Sequence, residues 1–251
     1  MEVGVTGARG RMGEAVLEAA ADREGCAVAF AVNRDPTGET IAGVDVADAA
    51  DFASLVAAHD PDAVVDFTGP DSAVEYAAAC AEAGVPFVTG TTGFSDAQQA
   101  ALDDASTEIP LLKASNFARG VQALRLVLRE AASALEEYDV ELTETHHNGK
   151  RDAPSGTAKT LLSDLAEARD FEEVYGREGE HPRDESEVGV HVLRAGDIRG
   201  EHRVLFAGND EVLTLSHRAE DRGVFAAGAL DAAAWLADRE AGRYDFADVI
   251  Q

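Results

Sequence analysis

Short apolar runs alternate with helix-forming segments through the first half of the chain. The apolar runs lie at 2–6, 27–32, 63–68, 86–89 and 111–114. The segments with helical spacing lie at 14–23, 72–83 and 95–105. Brief apolar strands separated by helices are typical of βαβ units. The pattern therefore predicts an α/β domain built on a parallel, doubly wound sheet.

The second half of the chain has a different period. A long helix is predicted over 121–135, after which apolar and polar residues alternate through Val140 and Leu142. Further strand-like runs lie at 188–193, 202–206 and 212–216. This alternation is typical of a sheet with one face in water. We therefore expect a C-terminal α+β domain with a mixed or antiparallel sheet.

Other signals complete this outline. Ser155 is predicted to begin a helix among the strands, and 225–238 is predicted to form a last helix. The polar stretch 170–187 is expected to be a surface loop. The change of pattern predicts a first domain at 1–117, completed by 222–251. The second domain is then 118–221.

The chain is strongly acidic, and this narrows the classes of partner. Its 251 residues include 48 acidic and 21 basic side chains, for a net charge of −27. Such a surface repels nucleic acid and anionic membranes, and no apolar run approaches a membrane span. Only three of the 21 basic residues are lysines. The scarcity of lysine and the large negative net charge together indicate adaptation to concentrated salt. With only two cysteines, the chain is not a disulfide-stabilised scaffold. We expect a cytoplasmic protein.

A glycine-rich loop follows the first predicted strand and precedes a helix. Gly7, Gly10 and Gly13 have the spacing GxxGxxG, a variant of the dinucleotide fingerprint. Glycines at these positions allow the backbone to approach a pyrophosphate, whose charge then lies at the helix N-terminus. The loop therefore predicts a Rossmann-like dinucleotide site rather than a purely structural turn.

The end of the second strand bears on which dinucleotide is used. Asn33 and Arg34 stand where an acidic residue would bind the ribose 2′-hydroxyl of NAD. Asparagine does not repel a 2′-phosphate, and arginine pairs with one. We therefore expect NADPH to be preferred, with NADH as the alternative.

Residues 144–158 contain a cluster of cations in a chain that has few. His146, His147 and Lys150 precede the helix start at Ser155. Amides at that helix end, together with the Lys150 ammonium, would bind a carboxylate beside a titratable histidine. Adjacent histidines could also hold a metal, but on a strand they point to opposite faces. We therefore predict a carboxylate pocket and no metal site.

These motifs resemble the 4-hydroxy-tetrahydrodipicolinate reductase (dihydrodipicolinate reductase) family over essentially the whole chain. They are the glycine loop at 7–13, Val65-Asp66-Phe67-Thr68, Gly90-Thr91-Thr92-Gly93-Phe94, Ser115-Asn116-Phe117, the segment 144–158 and Arg194-Ala195-Gly196-Asp197-Ile198. The histidine–lysine segment is the most specific of them, whereas the glycine loop alone would not identify the family.

The resemblance implies a role for each matching residue. It implies His146 as proton donor, His147 and Lys150 as substrate contacts, with Lys150 also catalytic, and Gly156 and Thr157 as a carboxylate clamp. The implied cofactor contacts are Gly7, Ala8, Gly10, Arg11, Met12, Gly13, Asn33, Arg34, Phe67, Thr68, Gly90, Thr91, Thr92, Ser115, Asn116 and Phe117. Many members carry an acidic residue at the position of Asn33, so this departure weakens the expectation of dual cofactor use.

The resemblance also implies an activity. The expected reaction is the NAD(P)H-dependent reduction of 4-hydroxy-tetrahydrodipicolinate, a small dicarboxylate, in the diaminopimelate route to lysine. The family implies a homotetramer built through the sheet of the second domain, which would then bind substrate and mediate oligomerisation. Two alternatives stay open at this point. One is another two-domain dehydrogenase of amino-acid precursors, and the other is a non-enzymatic dinucleotide sensor.

Overall fold

The computed structural model describes residues 1–35, 38 and 40–250. The chain divides into two compact units, described separately below. The first unit comprises Met1–Phe117 and Arg222–Gln251, and the second comprises Ala118–Asp221.

The first unit contains a sheet of eight strands within the described residues. They are β1 (Glu2–Thr6), β2 (Ala27–Asn33), β3 (Thr40–Ile41), β4 (Val44–Asp48), β5 (Ala63–Asp66), β6 (Phe87–Thr89), β7 (Pro110–Lys113) and β13 (Gly242–Tyr244). Their order is β13-β7-β6-β5-β1-β2-β4-β3. All neighbouring pairs are parallel except β3 with β4. The strand order reverses at β1, where a doubly wound sheet opens a crevice for ligands.

Helices cover both faces of this sheet. They are α1 (Arg11–Ala21), α2 (Phe52–His59), α3 (Pro70–Ala83), α4 (Asp96–Ala105), α7 (Gly223–Leu236) and α8 (Phe246–Ile250). Two separate apolar clusters result. Val65 packs into the cluster that contains Leu17 and Leu230, whereas its neighbour Val64 packs into the cluster of Phe87 and Leu102. Successive strand residues point to opposite faces, so both faces of the sheet are buried.

The second unit has a five-stranded mixed sheet with two helices. Its strands are β8 (Asp139–His146), β9 (Glu172–Tyr175), β10 (Glu187–Arg194), β11 (Glu201–Gly208) and β12 (Glu211–Arg218), and its helices are α5 (Arg119–Ala134) and α6 (Gly156–Ala166). The order is β12-β11-β8-β10-β9. Strand β8 pairs in parallel with β10 and antiparallel with β11. Burial alternates along β8, and its inner face joins a core formed with Leu128, Leu161 and Phe206.

The predicted fold class is confirmed, and one predicted loop is corrected. The stretch 170–187 was predicted to be a loop, but Glu172–Tyr175 form β9. This strand pairs only with β10 and lies at the sheet edge. An edge strand tolerates charged and exposed residues, so its polar composition concealed it. Among the described residues, no helix is long and apolar enough to cross a membrane.

Stability is expected to rise with salt concentration. The net charge of −27 produces self-repulsion that favours the unfolded chain in dilute buffer. Raising KCl to about 1 M shortens the screening length to roughly 3 Å and weakens that repulsion. Thermal unfolding followed by circular dichroism should therefore show a melting temperature that increases across this range. A melting temperature independent of KCl would contradict this interpretation of the charge.

Candidate functional site

The glycine loop connects β1 to α1 through close backbone contacts. Gly7 has φ +71°, and its carbonyl oxygen accepts the Gly10 N–H at 2.8 Å. A Cβ at Gly13 would lie 2.1 Å from that same oxygen, so only glycine fits there. Gly10 is the N-cap of α1 and provides no side-chain cap. The first amides of the helix are therefore available to an anion.

A cavity of about 250 Å³ opens beside this loop. It is lined by Gly7, Gly10, Asn33, Arg34, Phe67, Thr68 and Tyr76. Six of these seven were predicted cofactor contacts. Tyr76 was not, because an aromatic residue on a helix gives no signal that separates a pocket wall from core. The residues present fit a dinucleotide, since a glycine-rich loop, an open helix end and an arginine border one cavity.

A buried carboxylate organises the loops next to the cavity. Asp66, fully buried at the end of β5, accepts hydrogen bonds from the hydroxyls of Thr6, Thr68, Thr89 and Thr91 at 2.6–2.8 Å. These threonines come from three neighbouring strands and the loops that follow them. Thr91 Oγ1 also accepts the Thr68 N–H at 3.2 Å. Asp66 therefore joins the loops after β5 and β6, which carry predicted cofactor residues.

The remaining predicted cofactor residues lie in the same unit. Phe67 packs so close to Gly90 that a Cβ there would be 2.0 Å from the Phe67 ring. The rings of Phe67 and Phe117 are 5.7 Å apart, and Phe117 is buried. Of the others, Ala8 and Thr91 are buried, Met12 and Asn116 are half-buried, and Arg11, Thr92 and Ser115 are exposed.

The predicted proton donor lies in the second unit, on the central strand of its sheet. His146 ends β8, and its Nδ1 lies 2.5 Å from Glu144 Oε2. Residues two apart on a strand share a face. Glu144 and His146 therefore lie on the same buried face of β8 as Leu142. The pairing register places Arg194 of β10 opposite His146 and His202 of β11 opposite Glu144. Three adjacent strands therefore assemble this cluster.

Glu144 is fully buried, and both of its oxygens are used. Arg194 donates from Nη1 to Oε2 and from Nη2 to Oε1, each at 2.9 Å. Oε1 also accepts the Ser155 N–H at 3.0 Å. Burial works to raise the pKa of Glu144, but the hydrogen bonds from Arg194 and His146 outweigh it and hold the pKa below its usual value. Glu144 and Arg194 were not predicted site residues.

The histidines of this cluster are shifted towards their neutral forms. Burial lowers the pKa of His146 below its ordinary value, and the Glu144 carboxylate opposes part of that effect. The rings of His146 and His202 are 5.2 Å apart in an edge arrangement. Burial lowers the pKa of His202 to about 3, so it is neutral near pH 7. His202 Nε2 lies 3.0 Å from Ser155 Oγ.

The predicted carboxylate clamp is a capped helix end. Ser155 is the N-cap of α6, and its hydroxyl accepts the Ala158 N–H at 3.2 Å. This confirms the predicted helix start. Gly156 and Thr157 are the first two helical residues, exposed and buried respectively. Their amides belong to the first turn, where backbone N–H groups favour an anion.

The loop between β8 and α6 contributes the remaining predicted residues. Lys150 Nζ lies 2.8 Å from Asp152 Oδ1, and the Lys150 N–H donates to the His147 carbonyl oxygen. His147 and Lys150 are both half-buried. The structure thus divides the predicted residues into two groups. The substrate group lies entirely in the second unit, and the cofactor group entirely in the first. No metal-binding cluster of histidine, cysteine or carboxylate side chains occurs among the residues described.

Comparisons with known proteins agree along the whole chain. The family profile described as "Dihydrodipicolinate reductase, N-terminus" matches residues 1–117, and "Dihydrodipicolinate reductase, C-terminus" matches 120–250. A 4-hydroxy-tetrahydrodipicolinate reductase of Haloarcula marismortui is 55% identical, with 99% of this chain and 98% of that protein covered. One from Natronomonas pharaonis is also 55% identical, with 100% of both chains covered.

A solved structure shows the same fold. It is a dipicolinate-bound dihydrodipicolinate reductase from Paenisporosarcina sp. TG-14, with a TM-score of 0.80 and 24% identity. The alignment covers 98% of this chain and 97% of that one. With both family profiles and full-length relatives at 55% identity, this chain belongs to the dihydrodipicolinate reductase family.

Proposed function

We propose that this protein reduces 4-hydroxy-tetrahydrodipicolinate to tetrahydrodipicolinate, with loss of the hydroxyl group as water and with NADPH preferred over NADH. Family membership and the names of its full-length relatives support this activity. The observation that carries it is the placement of His146 on a buried carboxylate, one loop away from a capped helix end and Lys150. The same evidence disfavours a dehydrogenase of another family and a non-enzymatic sensor.

The first unit is assigned to the dinucleotide. The backbone of the loop at 7–13 and the open end of α1 would hold the pyrophosphate, with Arg34 at the adenosine phosphate. The loops joined by Asp66, together with 115–117, would hold the nicotinamide end. When bound, the dinucleotide supplies the hydride. Because Gly13 has no side chain, the loop can approach the dinucleotide closely.

The second unit is assigned to the dicarboxylate substrate. The Gly156 and Thr157 amides, the Thr157 hydroxyl and the Lys150 ammonium would bind its carboxylates through charge-assisted hydrogen bonds. His147, half-buried beside them, would be a further contact. The compact ammonium of Lys150 would also stabilise the negative charge that develops on the conjugated imine during reduction.

His146 would provide the proton that completes the reduction. Its Nδ1–H is held by Glu144, which leaves Nε2 to carry the proton that is transferred. A Cβ at Gly200 would lie 3.1 Å from Nε2, so glycine there leaves that side of the ring uncovered. General acids in this position accelerate reactions by roughly 10²–10⁴-fold.

We further propose that the protein acts in the cytoplasm as a homotetramer built through the second unit's sheet. Apolar side chains on that sheet support an interface. Val212 is 61% exposed and Leu193 is 47% exposed. Val212 lies on β12 and Leu193 on β10 of the same sheet, and exposed apolar residues on one sheet are typical of an association surface.

The activity is tested by following NADPH absorbance with substrate generated in place by the preceding synthase reaction. NADPH should be oxidised only when both the synthase and its substrates are present. A parallel assay supplies diaminopimelate and NADP⁺. A diaminopimelate dehydrogenase would oxidise the diaminopimelate and reduce the NADP⁺. Reduction of NADP⁺ in that assay, without synthase-dependent NADPH oxidation, would contradict the proposal.

Replacement of Arg34 by alanine should separate the two cofactors. Arg34 is exposed at the mouth of the cavity, after the end of β2. If it binds the 2′-phosphate, its loss removes a charge-assisted interaction that NADH never makes, worth roughly 1.5–3 kcal/mol or about a 10- to 150-fold rise in the KM for NADPH. The KM for NADH should change little. Equal losses with both cofactors would show that Arg34 does not bind the phosphate.

A further inference from the structure

The Glu144–Arg194 pair lies beneath two parts of the proposed site at once. Glu144 Oε2 contacts His146 Nδ1, and Glu144 Oε1 accepts the N–H of Ser155, the N-cap of α6. The fork of Arg194 occupies the remaining positions on both oxygens. A single buried carboxylate is therefore bonded both to the proposed acid and to the start of the proposed clamp.

We propose that Glu144 is the positioning residue of this site, held in place by the Arg194 fork so that it fixes the ring orientation and the tautomer of His146. This rests on the proposed function of His146 and deepens it. With a carboxylate on Nδ1, the ring carries its hydrogen there and presents Nε2 for proton transfer. Without Arg194, Glu144 would be a buried carboxylate whose only cationic partner is the imidazole itself.

The two residues act on His146 in opposite directions. The Glu144 carboxylate favours the imidazolium, whereas the positive charge of Arg194 opposes it. The other groups that face the ring are Lys150, from the loop after β8, and His202, from β11. Lys150 also opposes the imidazolium, and His202 is neutral near pH 7. The carboxylate is thus the one group of these four that stabilises the charged acid.

The test is the pH titration of His146 followed by NMR in the free protein, without substrate or cofactor. The chain has seven histidines, and the His146→Gln variant identifies the signal. Glu144→Gln should lower the midpoint of that titration by about one pH unit or more, as expected when an adjacent opposite charge is removed. Arg194→Gln should raise it. Shifts of opposite sign are not produced by general loosening of the fold.

Glu141→Gln provides a matched control on the same strand. Glu141 is also bonded to a histidine, with its Oε2 2.7 Å from His191 Nε2, but it lies on the other face of β8. This variant should leave the His146 titration unchanged. If Glu144→Gln does not fold, the rise expected for Arg194→Gln still tests the proposal. An unchanged His146 midpoint in the folded variants, or shifts of the same sign, would overturn it.

Enzyme kinetics provide a second readout. In Glu144→Gln the alkaline limb of the kcat/KM profile should move to lower pH, because the imidazolium is lost sooner as pH rises. The titration requires no turnover, so it distinguishes failure of this inference from failure of the proposed function. Absence of reductase activity with the predicted shifts would reject the function alone. Activity without those shifts would reject the role of Glu144 alone.

Discussion

Replacement of His146 by glutamine is expected to lower kcat by roughly two to four orders of magnitude, the usual contribution of a general acid. Glutamine preserves much of the ring's length and polarity but cannot carry a transferable proton. The effect should fall mainly on kcat, with a modest change in substrate KM, because the proton is delivered in the transition state. Steady-state kinetics across about pH 6 to 8 provide the measurement.

Two controls separate chemistry from folding in this variant. NADPH binding should be unchanged, since the proposed cofactor residues all lie in the first unit. His181→Gln, at an exposed position between β9 and β10, should have wild-type kinetics. Turnover close to wild type in His146→Gln over the whole pH range would place the acid elsewhere, with His147 or a bound water as the first alternative.

Replacement of Gly13 by alanine is expected to abolish NADPH binding or to prevent folding. The added Cβ would lie 2.1 Å from the Gly7 carbonyl oxygen, 2.7 Å from its carbon and 2.8 Å from Ala8 Cα. All three are backbone atoms, so the loop itself must move. A displacement of the loop would destroy the close approach that a pyrophosphate requires. Fluorescence titration with NADPH and a thermal melt would report the two outcomes.

Gly242→Ala is the matched control for this substitution. Its Cβ would meet Tyr244 at 3.5 Å, an ordinary contact, and β13 lies at the sheet edge. This variant should bind NADPH normally and melt close to wild type. A Gly13→Ala protein that melts like wild type and binds NADPH with unchanged affinity would contradict the role assigned to the loop.

Local signals in the sequence account for what could be predicted. The glycine loop, the end of β2 at Asn33 and the Ser155 cap are each encoded within a few residues. Hydrophobic periodicity was sufficient for most strands and the longer helices. Strands β3, β4, β9 and β13 and helices α2 and α8 were missed. The edge strands β3, β9 and β13 have two to four residues, which give little periodicity and need not be apolar. Strand β4 has two aspartates among its five residues, and the two helices are only eight and five residues long.

The missed site residues depend on long-range pairing. Arg194 reaches Glu144 across 50 residues of chain, and His202 reaches Ser155 across 47. Those partners become visible only once the register of β10 and β11 on β8 is known. Two signals were available: Glu144 itself, an acidic residue at an inward position of an alternating strand, and the family motif that begins at Arg194. A buried carboxylate requires a partner, and a search for that partner would have led to Arg194.

Transfer of deuterium from labelled NADPH tests the central claim most directly. NADPH carrying deuterium at both C4 positions should be oxidised in the presence of synthase-generated 4-hydroxy-tetrahydrodipicolinate. The account predicts that mass spectrometry then finds tetrahydrodipicolinate with one deuterium on carbon per NADPH consumed. NADPH oxidation without deuterium in that product, or no synthase-dependent oxidation by the folded protein, would contradict it.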